Sequence, residues 1–511
     1  MNRSSTSIDD SLFSQLSQFL STHMGLHFPP ERKYELIRGI RSASREFGFQ
    51  RVEPCVRWLL SAPLGKSQIE TLARYLTVGE TYFFREHKMF DALEKRILPP
   101  LIRSRARLSK RLRIWSAGCC TGEEPYSIAI LLTKMIPDHE EWNITIMATD
   151  INPQFLRKAR EAVYRDWSFR GTPYWVKDGY FDRVDGGLYV LKQEIKKFVQ
   201  FSYLNLVEDI YPSFYNEIHA MDIIFCRNVL MYFTMEQIKR AGERFFKTLM
   251  NHGWLIVGSS EASHAYFPQY VNVTFPGAIL YRKDEDCREP FKIYIPESEP
   301  VKENLKEPIK TVPSKSGPVP TPVQSTPLKS ESRREKTVPE KTVSDNDSSL
   351  KKAERFYQKG FYEETIQSVD LHSVRSSGNT DAMVLISKAF ANQGRIKEAL
   401  DWCNQAIGVN KLDPSFYHLK AVIYQEEGNI DQASAALKKA LYLDPEFILA
   451  YFTLGHLTLQ QGKTQESQKH FDNAFSLLET HDQDDSVPGS EGMTVGRLRE
   501  IIQFVKNGEL A

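Results

Sequence analysis

Apolar positions in the first hundred residues recur every three to four places. The runs FSQLSQFLSTHMGLHF, RKYELIRGIRSASREFG and QIETLARYLTVGE share that spacing, and Pro29 and Pro30 punctuate them, so residues 1–105 are expected to form a small all-helical domain. The pattern changes near Arg111. Short apolar runs, RLRIWSA, NITIMATD, FVQFSYLN, MDIIFCRN, GWLIVGSS and AILYRK, then alternate with amphipathic segments, which predicts βαβ units and a mainly parallel sheet over residues 106–287.

Between residues 288 and 348 large apolar side chains nearly vanish, and Pro, Ser, Thr and Lys take over. Such a segment cannot bury enough surface to offset the entropy of ordering it, so a disordered linker is expected. A long period follows. Gly360, Gly394, Gly428 and Gly462 stand thirty-four residues apart, and Ala406, Ala440 and Ala474 keep the same interval. With an apolar helix, a Gly turn and a second helix in each unit, residues 349–511 resemble the tetratricopeptide repeats. Asp-Pro steps at Asp413 and Asp444, thirty-one apart, predict one longer connection between helices. GRLREIIQFVKNG, Gly496 to Gly508, reads as a closing helix. Such arrays offer a concave face to peptides or protein surfaces; packing onto the preceding domain is the alternative.

Composition narrows the functional classes. A chain of 511 residues exceeds one ordinary domain. Sixty-six Lys and Arg balance sixty-five Asp and Glu, so no global field marks a nucleic-acid or membrane binder. The basic run RSRARLSKRLR, Arg103 to Arg113, lacks interleaved aromatics and reads as a solvated connector. Six scattered cysteines fit neither a disulfide framework nor zinc spacing, as in a reducing cytosol. No window approaches a membrane span and the stretch MNRSSTSIDDSLF has no long apolar run with a cleavage site, so neither membrane insertion nor export is expected.

The stretch RIWSAGCCTGEEPYSIAILL, Arg113 to Leu132, joins a buried strand to an amphipathic helix through Gly118 and Gly122, with Pro125 in the helix's first turn. Ligands of open α/β sheets bind beyond the carboxyl ends of the strands, so this turn is expected to face the site. A phosphate cradle would pair its glycines with Lys; here Glu123 and Glu124 stand where an anion would dock. The alternative is that both merely complement the helix dipole. Asp150 ends the next apolar run, the position from which carboxylates bind a ribose diol. A nucleoside with a cationic tail and no phosphate fits these acidic tips, and S-adenosylmethionine is such a molecule. Many nucleotide folds share the same elements.

The companion motifs are more specific. TYFFRE (Thr81 to Glu86), SAGCCTGEEPYSIA, ATDI (Ala148 to Ile151), YLNL (Tyr203 to Leu206), DIIFCRNVLMYF (Asp222 to Phe233) and GSSE (Gly258 to Glu261) occur in this order. Together they resemble the chemotaxis receptor methyltransferases of the CheR type over Asp10 to Lys283. The resemblance implies a helical domain followed by a Rossmann-like domain that binds S-adenosyl-L-methionine as methyl donor, without a metal, and forms methyl esters on chemoreceptor glutamates. It implies cofactor contacts at Thr81, Arg85, Glu124, Asp150, Asn205, Leu206, Arg227 and Asn228. The resemblance also places Tyr232 near the transferred methyl. Arg85 and Tyr232 are the expected catalytic residues, Arg85 holding a carboxylate and Tyr232 orienting the acceptor; the alternative for Arg85 is an ion pair that pins the helical domain to the sheet. Gly79 departs from the pattern, since the best-known members carry Asn there. Arg38, Arg41 and Arg45, three and four residues apart, share one helix face; the resemblance suggests that an acidic receptor helix docks on it, the alternative being an ordinary solvated face. GGLYVLKQEIKKFVQF, Gly186 to Phe201, suits the small antiparallel insertion that in some relatives grips a receptor's tail peptide.

The expected protein is thus multidomain: an N-terminal all-α domain, an α/β Rossmann-like S-adenosylmethionine-dependent methyltransferase domain, a disordered linker and an all-α tetratricopeptide array. Its expected activity is that of a cytoplasmic bacterial protein-glutamate O-methyltransferase. A methyl-accepting chemoreceptor or related signalling protein is the expected substrate and a further protein docks on the repeats, with neither nucleic acid nor membrane insertion involved. A sulfonium is a good leaving group and a carboxylate is ionised at neutral pH, so transfer needs placement more than a general base. The rival reading, a methyltransferase scaffold working through its repeats, predicts a damaged pocket, yet Arg85, Glu124, Asp150 and Asn228 are all present. The long linker leads one to expect a loosely coupled array.

Overall fold

The computed structural model describes residues 8–285 and 344–506, apart from 108–109, 209, 214–216, 359, 491–492 and 505. The expected linker lies outside these residues as far as 343. Four helices come first: α1 (Asp10–Met24), α2 (Lys33–Glu46), α3 (Val52–Leu59) and α4 (Lys66–Leu76). Asp9 caps α1 by accepting from the Leu12 amide at 2.7 Å, and Gly25 closes it at φ 74. Leu16, Leu20, Leu36, Ile40, Val56 and Leu72 converge on one core, whose apolar residues run no further than Leu76 along this part of the chain. Phe83, Phe84, Phe90, Leu93 and Ile97, which precede residue 105, join the core of the sheet. They do so because α5 (His87–Ala92) and α6 (Leu98–Ala106) lie against strands of the sheet.

The central sheet contains β1 (Arg111–Ala117), β2 (Asn143–Asp150), β6 (Val199–Tyr203), β7 (Met221–Cys226), β8 (Leu249–Val257), β9 (Val271–Phe275) and β10 (Ala278–Arg282). Their order is β6-β2-β1-β7-β8-β10-β9; the first five are parallel and β10 is antiparallel to both neighbours. All seven positions of β1 are buried, as expected of a parallel strand covered on both faces. The chain builds outward from β1 to β6 and then returns to β7 on the other side, which puts the topological switch point between β1 and β7. Helix α7 (Glu123–Met135) follows β1, α8 (Pro153–Glu161) follows β2, and α11 (Met235–Thr248) precedes β8.

A small antiparallel sheet is inserted ahead of β6, formed by β3 (Val163–Arg165), β4 (Phe181–Val184) and β5 (Leu188–Leu191) in the order β3-β5-β4. Of the segment Gly186 to Phe201, only the first part belongs to it. The short helix α10 (Gln193–Lys196) turns the chain away, and from Val199 it is already β6 of the main sheet. Two apolar runs on either side of one turn serve two different sheets.

The C-terminal region pairs α12 (Ser344–Gln358) with α13 (Tyr362–Gln367), α15 (Thr380–Asn392) with α16 (Ile396–Val409), α17 (Pro414–Glu427) with α18 (Ile430–Leu443), and α19 (Ile448–Gln460) with α20 (Thr464–Leu478); α14 (Leu371–Ser377) lies between the first two pairs and α21 (Val495–Phe504) closes the array. Gly360, Gly394, Gly428 and Gly462 turn the chain within each pair at φ 77, 69, 78 and 73. Ala406, Ala440 and Ala474 are fully buried. The expected longer connection is absent: α16 to α17 and α18 to α19 span the same interval. The Asp-Pro steps differ in place instead, since Asp413 caps α17 with Pro414 in its first turn, while Asp444 closes α18.

The array is seated on the α/β domain rather than loosely coupled to it. A Cβ on Gly360 would lie 2.8 Å from Lys247 Cα, one on Gly394 3.0 Å from Met250 Cε, and one on Gly428 3.3 Å from Asn143 Nδ2; at Gly462 it would meet nothing within 4 Å. Three successive turns therefore rest against the last turn of α11 and the amino-terminal ends of β8 and β2, and the fourth overhangs. At the centre the buried Glu426 receives Arg111 and Arg113, each at 2.5 Å, and stands 2.9 Å from His219 Nε2. Asn143 donates to the Glu426 carbonyl at 3.2 Å, and the Tyr362 hydroxyl donates to the Lys247 carbonyl at 3.0 Å. Burial alone would raise the Glu426 carboxyl, but Arg113, Arg111 and His219 outweigh it and hold it well below 4.5. Removing one partner of a buried ion cluster leaves the others uncompensated, at a cost of about 3 kcal/mol or more. Glu426→Ala should therefore lower the thermal midpoint and release the array to limited proteolysis. Because the folded carboxyl is depressed, its contribution is complete above the ordinary value of 4.5 and is lost as pH falls through the folded one; a scan of the melting temperature between neutral and acidic pH checks the sign.

Candidate functional site

A cleft of about 1000 Å³, counting its open mouth, lies beyond the carboxyl ends of β6, β2, β1 and β7, the size of a cavity that holds a nucleoside-sized ligand. Its floor is the turn after β1. Gly118 sits at φ 80, and a Cβ there would be 2.3 Å from Val229 Cγ2 of the loop after β7. Only glycine allows the two loops to nest so closely. Asp150, at the tip of β2, accepts from the Cys120 amide at 2.9 Å and from the Asn152 amide at 2.8 Å. Burial pushes this carboxyl up to about 6 against the pull of those amides.

Glu123 and Glu124 part company. The Glu124 carboxylate borders the cleft, accepting from the Ser116 hydroxyl at 2.7 Å and from Arg227 at 2.9 Å. Glu123 turns away and is 3 % exposed, accepting from the hydroxyls of Thr121 at 2.7 Å and Ser168 at 3.0 Å. The expectation that both carboxylates repel an anion thus reduces to Glu124 alone, because adjacent helix positions point 100° apart. Arg227 also donates to the Arg85 carbonyl at 2.7 Å, tying the loop after β7 to the segment Thr81–Glu86. That segment is tightly wound: Phe84 and Glu86, on either side of Arg85, have φ 55 and 63, and the Phe84 amide is held by the Ser127 hydroxyl at 2.9 Å.

Thr81, Arg85, Glu124, Asp150, Asn205, Leu206, Arg227, Asn228 and Tyr232 all line this one cleft. Asn205 also donates to the His23 carbonyl at 2.7 Å, so the end of α1 forms part of the wall, with Met24 and Leu26 lining it. The Tyr232 ring carries the Arg32 guanidinium at 5.4 Å, and burial raises its hydroxyl. Arg38, Arg41 and Arg45 lie elsewhere, exposed along α2. At Gly79 a Cβ would be 2.8 Å from the Phe155 ring, which occupies the space an Asn would need. Cys119 and Cys120 have thiols raised by burial and remain protonated near neutrality. Among the described residues no cluster of three or more His, Cys, Asp or Glu could hold a metal, and no helix is long and apolar enough to cross a membrane.

A family model described as CheR methyltransferase, SAM binding domain, matches residues 79–274. The chemotaxis protein methyltransferase of Borreliella burgdorferi is 32% identical over 251 residues, covering 48% of this chain and 87% of that protein. The chain belongs to the CheR methyltransferases. Chemotaxis protein methyltransferase 2 of Vibrio cholerae is 31% identical over 50% of this chain and 86% of its own length, and chemotaxis protein methyltransferase 1 of Pseudomonas aeruginosa 30% over 53% and 97%. A TPR repeat model matches residues 423–462, so this CheR methyltransferase carries a repeat region beyond the roughly half of its length that aligns with those relatives.

Sequence reasoning missed Met24, Leu26, Phe155 and Val229 as lining residues. Gly25 was the available signal, since a helix closed by glycine often turns its last residues toward a neighbour; a Cβ on it would be 2.6 Å from Phe233. A ligand that donates hydrogen bonds to Asp150 favours the ionised carboxylate, so protons compete with it. Calorimetric affinity for S-adenosylhomocysteine should be flat above about pH 7 and about tenfold weaker at pH 5 than at pH 8. Asp150→Asn should flatten that profile while weakening binding throughout.

Proposed function

We propose that this CheR methyltransferase transfers a methyl group from S-adenosylmethionine to glutamate carboxylates of a chemoreceptor-like signalling protein, and that its repeat array offers a docking face to a further protein. The observation that carries the reading is the convergence of Glu124, Asp150, Arg85, Asn228 and Tyr232 on one cleft at the switch point. The chemistry of this set fits the cofactor: two carboxylates suit ribose hydroxyls and an amine, and the turn after β1 offers no Lys for a phosphate. When bound, S-adenosylmethionine supplies a methyl on a sulfonium, already activated for transfer.

In this reading Asp150 receives the ribose hydroxyls, already held in place by the Cys120 and Asn152 amides, and Glu124 receives the amine. Arg227 holds Glu124 in orientation and shares its charge. Arg85 aligns the incoming carboxylate by a charge-assisted hydrogen bond, and the Tyr232 hydroxyl donates to it without ionising. Neither must remove a proton, because the acceptor is already an anion. The exposed row Arg38, Arg41 and Arg45 on α2 supports docking of an acidic helix. The small antiparallel sheet β3-β5-β4 supports capture of an extended receptor segment, since its outer strands leave edges for pairing.

Methyl-labelled cofactor incubated with a chemoreceptor signalling domain should give label that mild base releases as volatile methanol; label stable to base would overturn ester formation. Arg85→Ala should lower kcat/KM for the receptor by about a hundredfold. Arg38→Glu together with Arg41→Glu should raise KM for the receptor while leaving calorimetric affinity for S-adenosylhomocysteine intact.

A further inference from the structure

The motif GSSE has no role in the site as described so far, yet its last residue touches the site's framework. Glu261 lies in the turn that follows β8 and is 4 % exposed. Its Oε2 accepts from the Asn228 amide at 2.7 Å and from the Gly258 amide at 2.8 Å, and its Oε1 accepts from the Met231 amide at 3.0 Å. One buried carboxylate thus gathers three backbone donors, two of them from the loop that carries Arg227, Asn228 and Tyr232. A Cβ on Gly258 would stand 2.6 Å from Glu261 Oε2, so the motif's glycine is what lets the carboxylate come so close.

The loop needs such a clamp. Asn228 has φ 60, a left-handed conformation that costs free energy for any residue with a side chain and persists only where the surroundings impose it. Its amide is directed at Glu261, while its neighbour Arg227 reaches across to Glu124 and to the Arg85 carbonyl. Three residues on, the Met231 amide is held by the same carboxylate, immediately before Tyr232, whose carbonyl accepts from the His27 amide at 2.8 Å. Both ends of the site-forming loop are therefore tied to a single side chain. A carboxylate suits this task because it has only acceptors, and all three groups facing it are donors. Glutamine would turn an amide NH₂ toward at least one N–H.

We propose that Glu261 is a positioning residue for methyl transfer, holding the Arg227–Tyr232 loop in the strained conformation that presents Arg227, Asn228 and Tyr232 to cofactor and acceptor. This rests on the reading that S-adenosylmethionine occupies the cleft. Full-length protein and the variants Glu261→Gln, Glu261→Asp and Glu261→Ala would be titrated calorimetrically with S-adenosylhomocysteine, well below the melting temperature of each. Glu261→Gln should bind about tenfold more weakly and Glu261→Ala weaker still, both soluble and cooperatively folded. Glu261→Asp, which keeps the charge but shortens the reach, should fall between the parent and Glu261→Gln. Affinity within about twofold of the parent in both Glu261→Gln and Glu261→Asp would overturn the proposal, and a lowered melting temperature with that unchanged affinity would assign Glu261 a purely structural role. Should Glu261→Ala fail to fold, the other two variants decide. No heat from the parent protein would instead remove the cofactor reading itself, before any variant is compared.

Discussion

Gly118 has no side chain to keep Val229 away, and most of the site follows from that contact. Parallel strands all deliver their chain to the same edge of the sheet, so the loops after β1 and β7 compete for one volume above the switch point. With a Cβ at Gly118 only 2.3 Å from Val229, the loops would have to separate. Nested, they bring Arg227 to Glu124 and to the carbonyl of Arg85, so that three segments distant in sequence share one guanidinium. Asp150, held by the Cys120 amide, locks the third loop to the same turn. Acidic groups at two adjacent strand tips then face the cleft together.

The opposite end of the same strands is used for assembly. β1 carries Arg111 and Arg113 at its amino end and runs into Gly118 at the other, roughly 23 Å away at the rise of an extended strand. The first end is buried against the repeat array through Glu426. A buried ion cluster adds little net stability when compared with apolar packing, but removing one of its members leaves the others uncompensated. The turn glycines of three repeats make that face smooth enough to approach the strand ends. The cleft and the seat of the array therefore occupy opposite edges of one sheet.

Much of this was legible in the chain. The 34-residue glycine interval marked the turns of the array, alternating apolar runs marked the parallel strands, and TYFFRE, SAGCCTGEEPYSIA, ATDI, YLNL and DIIFCRNVLMYF supplied nine residues that meet in one cleft. The misreadings share a cause. Glu123 and Glu124 look equivalent in sequence, but one helical step separates a residue on the cleft from one buried beside Ser168. The thirty-one-residue spacing of the two Asp-Pro steps suggests one longer connection, but the connections are equal and the steps differ in place, Asp413 beginning a helix and Asp444 ending one. Residues 83–98 have helical periodicity, and periodicity does not say whether the apolar face meets helices or a sheet.

The sequence by itself determined the secondary elements, the repeat architecture, the family and the polar residues that reach the strand ends, because each depends on local spacing or on motifs in fixed order. Only the tertiary structure decided that the array docks under the sheet, that Glu426 lies between two arginines of β1, and that Glu261 gathers the amides of a loop thirty residues earlier. Such pairings depend on where separate parts of the chain arrive in space, and a buried charge has no signature in its neighbours along the chain until the fold brings its partners to it.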